Sequence, residues 1–140
     1  MSAFVADASV VIKWFVPEVG TPHAIRLRDG GHDLHSPTFV EVEVANTIWK
    51  KLLRGEITRA EADDILLKLL ALPLHRHLDC TLVASAFDLA DQTKRTVYEC
   101  LYLALAIHVQ GRLVTADDRF INSLAGTPWA GFVIRLADVP

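Results

Sequence analysis

The chain has 140 residues, 51% hydrophobic and 22% charged, and its 17 acidic residues against 14 lysines and arginines give a net charge of −3. This length predicts a single domain over residues 1–140, and the apolar fraction excludes an intrinsically disordered chain. No segment reaches the roughly 18 apolar residues of a membrane helix, the N-terminal MSAFVAD lacks the basic start of a signal peptide, and a cytoplasmic location without membrane contact is expected.

Turn and capping signals divide the chain into short strands and longer helices. In chain order we predict a strand at Ala3–Ala6, helices at Ser9–Phe15 and from Thr21 to Gly30, a strand at Leu34–Ser36, helices over 39–54 and 59–72, a strand at His75–Leu78, helices at Leu82–Gln92 and Val97–Gln110, a strand at Arg112–Thr115, a helix at Asp118–Leu124 and a strand at Phe132–Arg135. Short strands that alternate with helices predict an α/β fold with a mainly parallel central sheet.

Local sequence signals support these helix starts. The S/T-x-x-E capping-box pattern occurs at Thr38/Glu41, Thr58/Glu61 and Thr96/Glu99. The two cysteines, Cys80 and Cys100, form no C-x-x-C motif. We interpret them as reduced thiols in the core.

Two aspartates follow predicted strands. Asp7 ends the first strand, and Asp117 comes two residues after Thr115. Ligands of parallel α/β sheets bind at the carboxyl ends of the strands, so both acids would face one crevice if these strands are neighbours. The alternative is that each acid only caps the helix that follows it.

Glu99 is the only acid in an otherwise apolar helix. Such a helix is buried, and a carboxylate in it must be paired or bind a metal. A capping box with Thr96 is the alternative explanation.

The helix over 39–54 has one broad apolar face and one polar face. The apolar face contains Val42, Ala45, Ile48, Trp49, Leu52 and Leu53. Glu43 lies on the opposite side, and periodicity alone describes it as a solvated acid unless that side lines a cleft.

Carboxylates that gather in one crevice repel one another unless a cation lies between them. Mg²⁺ or Mn²⁺ suits a site formed by Asp7, Glu43, Glu99 and Asp117, because these hard ions take oxygen ligands and keep positions open for phosphate. The chemistry of such a site is hydrolysis of a phosphodiester by activated water.

Four segments resemble, in order and spacing, the motifs of PIN-domain nucleases, and within that family those of the VapC toxins of type II toxin–antitoxin modules. The segments are VADASVVIKWF, EVEVANTIWK, TVYECLYLALA and LVTADDRF. The resemblance implies a three-layer α/β/α fold, an Mg²⁺- or Mn²⁺-dependent endoribonuclease, an RNA substrate, a homodimer and a small VapB-like antitoxin as partner.

The resemblance also assigns the site residues. Asp7, Glu43 and Asp117 match three acidic positions of the family, and Glu99 stands where the family usually has aspartate in Y-D-x-x-Y-L-A-L-A. Asp7, Asp117 and Glu99 are expected to bind the metal, with Glu43 acting through water. The hydroxyls of Ser9 and Thr115 are expected to support these ligands.

Histidines, basic residues and tryptophans of the chain are open to other interpretations. His75 and His77 share a strand face, but without a third ligand nearby in the sequence we interpret them as a polar strand rather than a zinc site. Lys50, Lys51, Arg54, Arg59, Lys94 and Arg95 could hold RNA phosphates or be solvated, and Trp14 and Trp49 could stack on bases or be buried. The alternatives for the whole chain are a catalytically silent partner-binding module and a phosphate-handling, receiver-like domain.

Overall fold

The computed structural model describes residues 2–140. Its strands are β1 (Ala3–Ala6), β2 (Asp33–Pro37), β3 (His75–His77), β4 (Arg112–Thr115) and β5 (Val133–Arg135). Its α-helices are α1 (Ala8–Val11), α2 (Thr21–Asp29), α3 (Phe39–Leu53), α4 (Arg59–Leu70), α5 (Val83–Thr93), α6 (Val97–His108) and α7 (Asp118–Leu124). The predicted order of strands and helices is confirmed, and a 3₁₀ turn at Ile12–Trp14 replaces the second half of the first predicted helix.

The five strands form one sheet in the order β3-β2-β1-β4-β5, and every strand pair is parallel. This confirms the three-layer α/β/α architecture. Helix α6 contacts β1, β2 and β4, and its residues from Cys100 to Ala106 are all buried. No helix within residues 2–140 is long and apolar enough to cross a membrane.

The pairing of β1 with β4 positions the crevice. Phe4, Val5 and Ala6 lie opposite Arg112, Leu113 and Val114. At the start of β4, a Cβ on Gly111 would lie 2.3 Å from the carbonyl oxygen of Ala3, so only glycine allows this close approach. The carboxyl ends of β1 and β4 therefore lie side by side, which meets the condition under which Asp7 and Asp117 would face one crevice.

The predicted capping box at Thr38/Glu41 is wrong. Thr38 has helical backbone angles and makes no side-chain cap. Asp79, which follows β3, accepts a hydrogen bond from the amide of Phe39 at 3.0 Å instead, and Glu41 pairs with Arg76 at 2.6 Å. Hydrogen bonds to Arg76 of β3 and to Asp79 in the turn after it thus take the place of the local Thr38/Glu41 capping box. The boxes at Thr58 and Thr96 are confirmed.

The predicted apolar face of α3 is only partly correct. Val40, Val44 and Ile48 are buried, whereas Val42, Trp49 and Leu53 are 64%, 54% and 70% exposed. Of the six predicted residues only Ile48 is therefore buried, and Val40 and Val44 join it on the side of α3 that packs against α1, α4 and β2. The three exposed residues are called the α3 stripe below.

Two further predictions concern single side chains. Cys100 is buried in α6 as expected, but Cys80 is exposed, so its assignment to the core is wrong. Cys80 lies in the 3₁₀ turn after β3, outside the layers that form the core. Trp14 is half-buried and donates from its indole to the carbonyl of Ala24 at 2.7 Å.

Candidate active site

Asp7 lies where β1 ends and α1 begins. Its Oδ1 accepts hydrogen bonds from the amide of Val10 at 3.2 Å and from the hydroxyl of Ser9 at 2.6 Å. Asp7 therefore caps α1, which is the alternative that the sequence left open. It also lines a cavity at the end of the sheet, so the two roles coexist.

Asp117 has the same dual position after β4. It caps α7 by accepting from the amides of Arg119 at 3.0 Å and Phe120 at 3.3 Å. The amide of Asp117 itself donates to the hydroxyl of Thr115 at 3.0 Å. Ser9 accepts from the amide of Ala116 at 3.1 Å while it donates to Asp7, so its hydroxyl joins the two strand ends.

Glu99 belongs to a complete capping box and to an ion pair. Its amide donates to Thr96 Oγ1, and its Oε1 accepts from the amide of Thr96. Its Oε2 accepts from the guanidinium of Arg95 at 2.7 Å. The carboxylate is therefore held by protein donors on both oxygens at the edge of the cavity.

Glu43 is half-buried and accepts a hydrogen bond on Oε1 from the hydroxyl of Tyr102. Periodicity places Glu43 on the polar side of α3, and that side faces the cavity. Tyr102 was not among the predicted site residues. Its hydroxyl in the fully apolar part of α6 was the available signal, since a buried hydroxyl needs a partner.

These side chains line one cavity of about 170 Å³ at the carboxyl ends of β1 and β4. Its lining comprises Asp7, Ala8, Ser9, Glu43, Tyr98, Glu99, Tyr102, Leu113, Asp117 and Phe120. The fold thus brings all four predicted carboxylates together. Neither lysine nor arginine is among the described residues that line the cavity.

The cavity disfavours the charged form of its two inner acids. Burial raises the pKa of Asp7, and the hydroxyls of Ser9 and Thr115 offset this only in part. Burial also raises the pKa of Glu43, and the negative charges of Asp7 and Glu99 add to this effect. Burial acts in the same direction on Glu99, but hydrogen bonds from Arg95 and Thr96 outweigh it, so the pKa of Glu99 is lowered.

This donor set fits a hard divalent cation. The inner acids are held in a cavity whose lining offers oxygen ligands and no positive charge, and a cation would remove the repulsion between Glu43 and its neighbours. Among residues 2–140 no three acidic, histidine or cysteine side chains converge on one point as they stand. Glu99 would therefore have to turn from Arg95 toward the cavity to act as a ligand.

The basic residues considered for RNA binding have different surroundings. Lys51 contacts Glu18 at 3.5 Å and Glu56 at 3.7 Å, and Arg59 pairs with Asp63 at 2.9 Å. Arg95 does not line the cavity, but its guanidinium lies over the ring of Phe120, which does. Its Nε is the one buried side-chain polar atom without a partner in the described part of the chain.

Comparisons with known proteins agree with this architecture. A family model described as PIN domain matches residues 4–123. Ribonuclease VapC3 of Pyrobaculum aerophilum is 35% identical over 117 residues, which cover 81% of this chain and 88% of that protein. Ribonuclease VapC3 of Mycobacterium tuberculosis is 29% identical over 119 residues and covers 85% of both chains.

Solved structures show the same fold. A crystal structure from Pyrobaculum aerophilum covers 97% of this chain and 85% of its own at a TM-score of 0.71 and 20% identity. A toxin–antitoxin complex from Klebsiella pneumoniae covers 99% of this chain and 100% of its own at 0.67 and 15% identity. VapBC2 from Rickettsia felis, bound to a DNA fragment from its promoter, covers 95% and 98% at 0.62 and 12% identity.

Proposed function

The chain belongs to the PIN-domain family, and we propose that it is a metal-dependent endoribonuclease that acts as the toxin of a type II toxin–antitoxin module. Its substrate on this proposal is RNA, whose phosphodiester bonds it hydrolyses. Two relatives that share most of their length with this chain carry the name Ribonuclease VapC3, and a similar structure is a toxin–antitoxin complex. These similarities support both the reaction and the biological setting.

The observation that carries the proposal is the gathering of Asp7, Glu43, Glu99 and Asp117 around one cavity. Helix capping alone does not require four carboxylates around one cavity, because a cap needs only one acid at each helix start. Burial disfavours the charged forms of Asp7 and Glu43, and no lysine or arginine beside them offsets this cost, so their presence favours a function. The four carboxylates suit a bound cation, and the volume of the cavity leaves room for a phosphate beside it.

Asp7, Asp117 and Glu99 would hold Mg²⁺ or Mn²⁺, with Glu43 acting through water. When bound, such an ion activates water for attack on phosphorus and stabilises the charge that develops on the phosphate. Tyr102 fixes the carboxylate of Glu43 by its hydrogen bond, and Ser9 fixes Asp7. These contacts restrict both acids to orientations that face the cavity, as supporting hydrogen bonds do in metal sites.

We further propose a homodimer and a VapB-like antitoxin as partners. The α3 stripe exposes Val42, Trp49 and Leu53, and Leu67 and Leu70 of α4 are 71% and 61% exposed. Helices α3 and α4 contact each other, so these apolar side chains belong to neighbouring elements. Apolar surface on neighbouring elements is typical of interaction sites.

The central experiment is incubation of purified, antitoxin-free protein with total RNA in Mg²⁺, in Mn²⁺ or in EDTA. We expect cleavage with either ion and none in EDTA. Cleavage that persists in EDTA would contradict the metal dependence. Intact RNA in every condition, together with tight binding of a co-expressed antitoxin, would instead favour a catalytically silent partner-binding module.

A further inference from the structure

Three histidines gather on one face of the sheet at its β3 edge. His35 of β2 lies opposite His75 of β3. Two residues farther along both strands, Pro37 lies opposite His77. Side chains in register on parallel strands point to the same side, and so do residues two apart. Asp33 therefore shares this face as well. We call Asp33, His35, His75 and His77 the histidine cluster.

The imidazole rings of the cluster are in contact. His35 Nδ1 lies 3.0 Å from His77 Nε2, and the ring centroids of His35 and His75 are 4.8 Å apart. His75 Nε2 lies 3.8 Å from Asp33 Oδ1. The ring of His108, at the end of α6, meets His77 edge-on at 6.2 Å. None of these side chains lines the carboxylate cavity.

The surroundings favour the neutral, ligand form of the two inner rings. Burial lowers the pKa of His35, and positive charge on His75 or His77 would lower it further. Burial also lowers the pKa of His77, with His108 and His75 acting in the same direction. Neutral imidazole offers a lone pair, and it is this form that binds metal ions.

From this geometry we propose that the histidine cluster is a second metal site, separate from the carboxylate cavity, that binds Zn²⁺ or a similar borderline transition-metal ion. His35, His75 and His77 supply three nitrogen ligands and Asp33 supplies an oxygen. Imidazole ligands select Zn²⁺, Co²⁺, Ni²⁺ and Cu²⁺ over Mg²⁺, which takes oxygen. The two sites of this chain would therefore bind different ions.

The spacing of His35 and His77 suits a shared ion, whereas His75 must change its orientation. With a Zn–N bond of about 2.0–2.1 Å and tetrahedral angles, two ligand nitrogens lie roughly 3.3 Å apart, close to the spacing between His35 and His77. In the pair of His35 and His77, the imidazole that donates the hydrogen bond would have to change tautomer. Its proton would move to the other ring nitrogen, so the ring would stay neutral and bind the metal through the freed lone pair. As the rings stand, the described residues bring no three such donors to one point. His75 must turn toward His35 and His77 to complete the site, and its side chain is 61% exposed.

Metal binding here would fasten an edge strand. β3 has three residues and pairs only with β2 in the described sheet. A metal that bridges His35 with His75 and His77 would add a bond across this pair. An ion that binds only the folded state raises its stability, so Zn²⁺ should increase the melting temperature.

The test is calorimetric titration of chelator-treated, tag-free protein with ZnCl₂, together with the visible spectrum of the Co²⁺ complex. We expect one Zn²⁺ per chain, an increase in melting temperature and a tetrahedral Co²⁺ spectrum. His35→Asn and His77→Asn should each weaken Zn²⁺ binding by ~10-fold or more. His75→Asn, at an exposed position, gives the same test should either inner variant fail to fold.

Two control variants separate this site from other Zn²⁺ ligands. His23→Asn removes an imidazole from α2, outside the cluster, and Cys80→Ser removes the exposed thiol. Both should bind Zn²⁺ as the wild type does. Loss of binding in Cys80→Ser, unchanged binding in the three cluster variants, or no binding by the wild type would each overturn the proposal.

Discussion

Arg95, which precedes the N-cap of α6, donates to Glu99 Oε2 at 2.7 Å. Glu99 occupies the position at which the resemblance described above implies an aspartate. Glutamate reaches one methylene farther, and Arg95 holds that extra length at the edge of the cavity. The ion pair therefore lowers the pKa of Glu99 and keeps its carboxylate charged at the edge of the cavity.

The first prediction separates the two roles of Glu99. If Glu99 is a metal ligand, Glu99→Gln should abolish RNA cleavage and weaken Mn²⁺ binding, whereas Glu99→Asp should keep measurable activity. If Glu99 serves only the capping box, glutamine replaces it at a cost within the ~0.5–2 kcal/mol of cap losses and activity is unchanged.

Glu61 provides the matched control for that experiment. It forms the same capping box with Thr58 and does not line the cavity. Glu61→Gln should change the melting temperature only by the effect of the altered capping box. Its RNA cleavage should equal that of the wild type. Equal and full activity of both glutamine variants would leave a site of three carboxylates.

The second prediction compares two adjacent aspartates. Asp117→Asn should reduce cleavage by more than the roughly 10–100-fold typical of residues that only support a metal ligand. Asp118→Asn should cleave as the wild type does, because Asp118 pairs with Arg135 at 2.6 Å and does not line the cavity. Rates measured on the same RNA test both. Wild-type rates for Asp117→Asn would make Asp117 a helix cap only.

The third prediction concerns stability without metal. Burial raises the pKa of Asp7 above its usual value of 3.8, so the unfolded chain loses this proton at lower pH than the folded one. Stability therefore falls as pH rises between these two values. Asn has no such proton, and metal-free Asp7→Asn should melt above the wild type at pH 7 and close to it below about pH 4.

Addition of Mn²⁺ should reverse that order. Only the wild type keeps the full ligand set, so its melting temperature should rise more than that of Asp7→Asn. Asparagine can still accept the bonds from Ser9 and Val10, so the cap itself is preserved. An equal Mn²⁺ shift in both proteins would remove Asp7 from the metal site.

The fourth prediction tests Tyr102 as a positioning residue. Tyr102→Phe keeps the buried ring and removes the hydrogen bond that lowers the pKa of Glu43. Cleavage should fall by roughly 10–100-fold. The acidic limb of its pH–rate profile should also move to higher pH, since Glu43 would then hold its proton longer. A lower rate with an unmoved profile would indicate a packing effect.

The fifth prediction concerns the α3 stripe. The protein should sediment as a dimer at micromolar concentration, and Trp49→Glu should shift it toward monomer without loss of fold, because Trp49 is 54% exposed. Phe87→Glu is the control, since Phe87 is 65% exposed on α5. A wild type that sediments only as monomer would contradict the homodimer.

Local signals predicted most of the fold. The capping boxes at Thr58 and Thr96 depend on residues within one helical turn, and both are present. The box at Thr38 is absent because Asp79 and Arg76, distant in sequence, took its partners. A local sequence pattern does not show which distant residues the fold brings to a helix start to form hydrogen bonds there.

The candidate site shows the same limit. Strand ends indicated Asp7 and Asp117, because parallel topology fixes where they face. The place of Glu43 depended on which side of α3 the cavity occupies, and periodicity separates faces without saying what covers them. His35 was not connected with His75 and His77, because strand neighbours along a sheet edge are not neighbours in sequence.

The hydrogen bond from the amide of Ala116 to Ser9 joins residues 107 positions apart. During synthesis the first half of the crevice, on β1, leaves the ribosome long before β4 exists to pair with it. A nascent chain therefore lacks half of its acidic cavity until nearly the whole protein has emerged, and pairing at such sequence separation is slow. On the proposed function, no RNA can be cut before β4 has paired with β1 and completed the cavity.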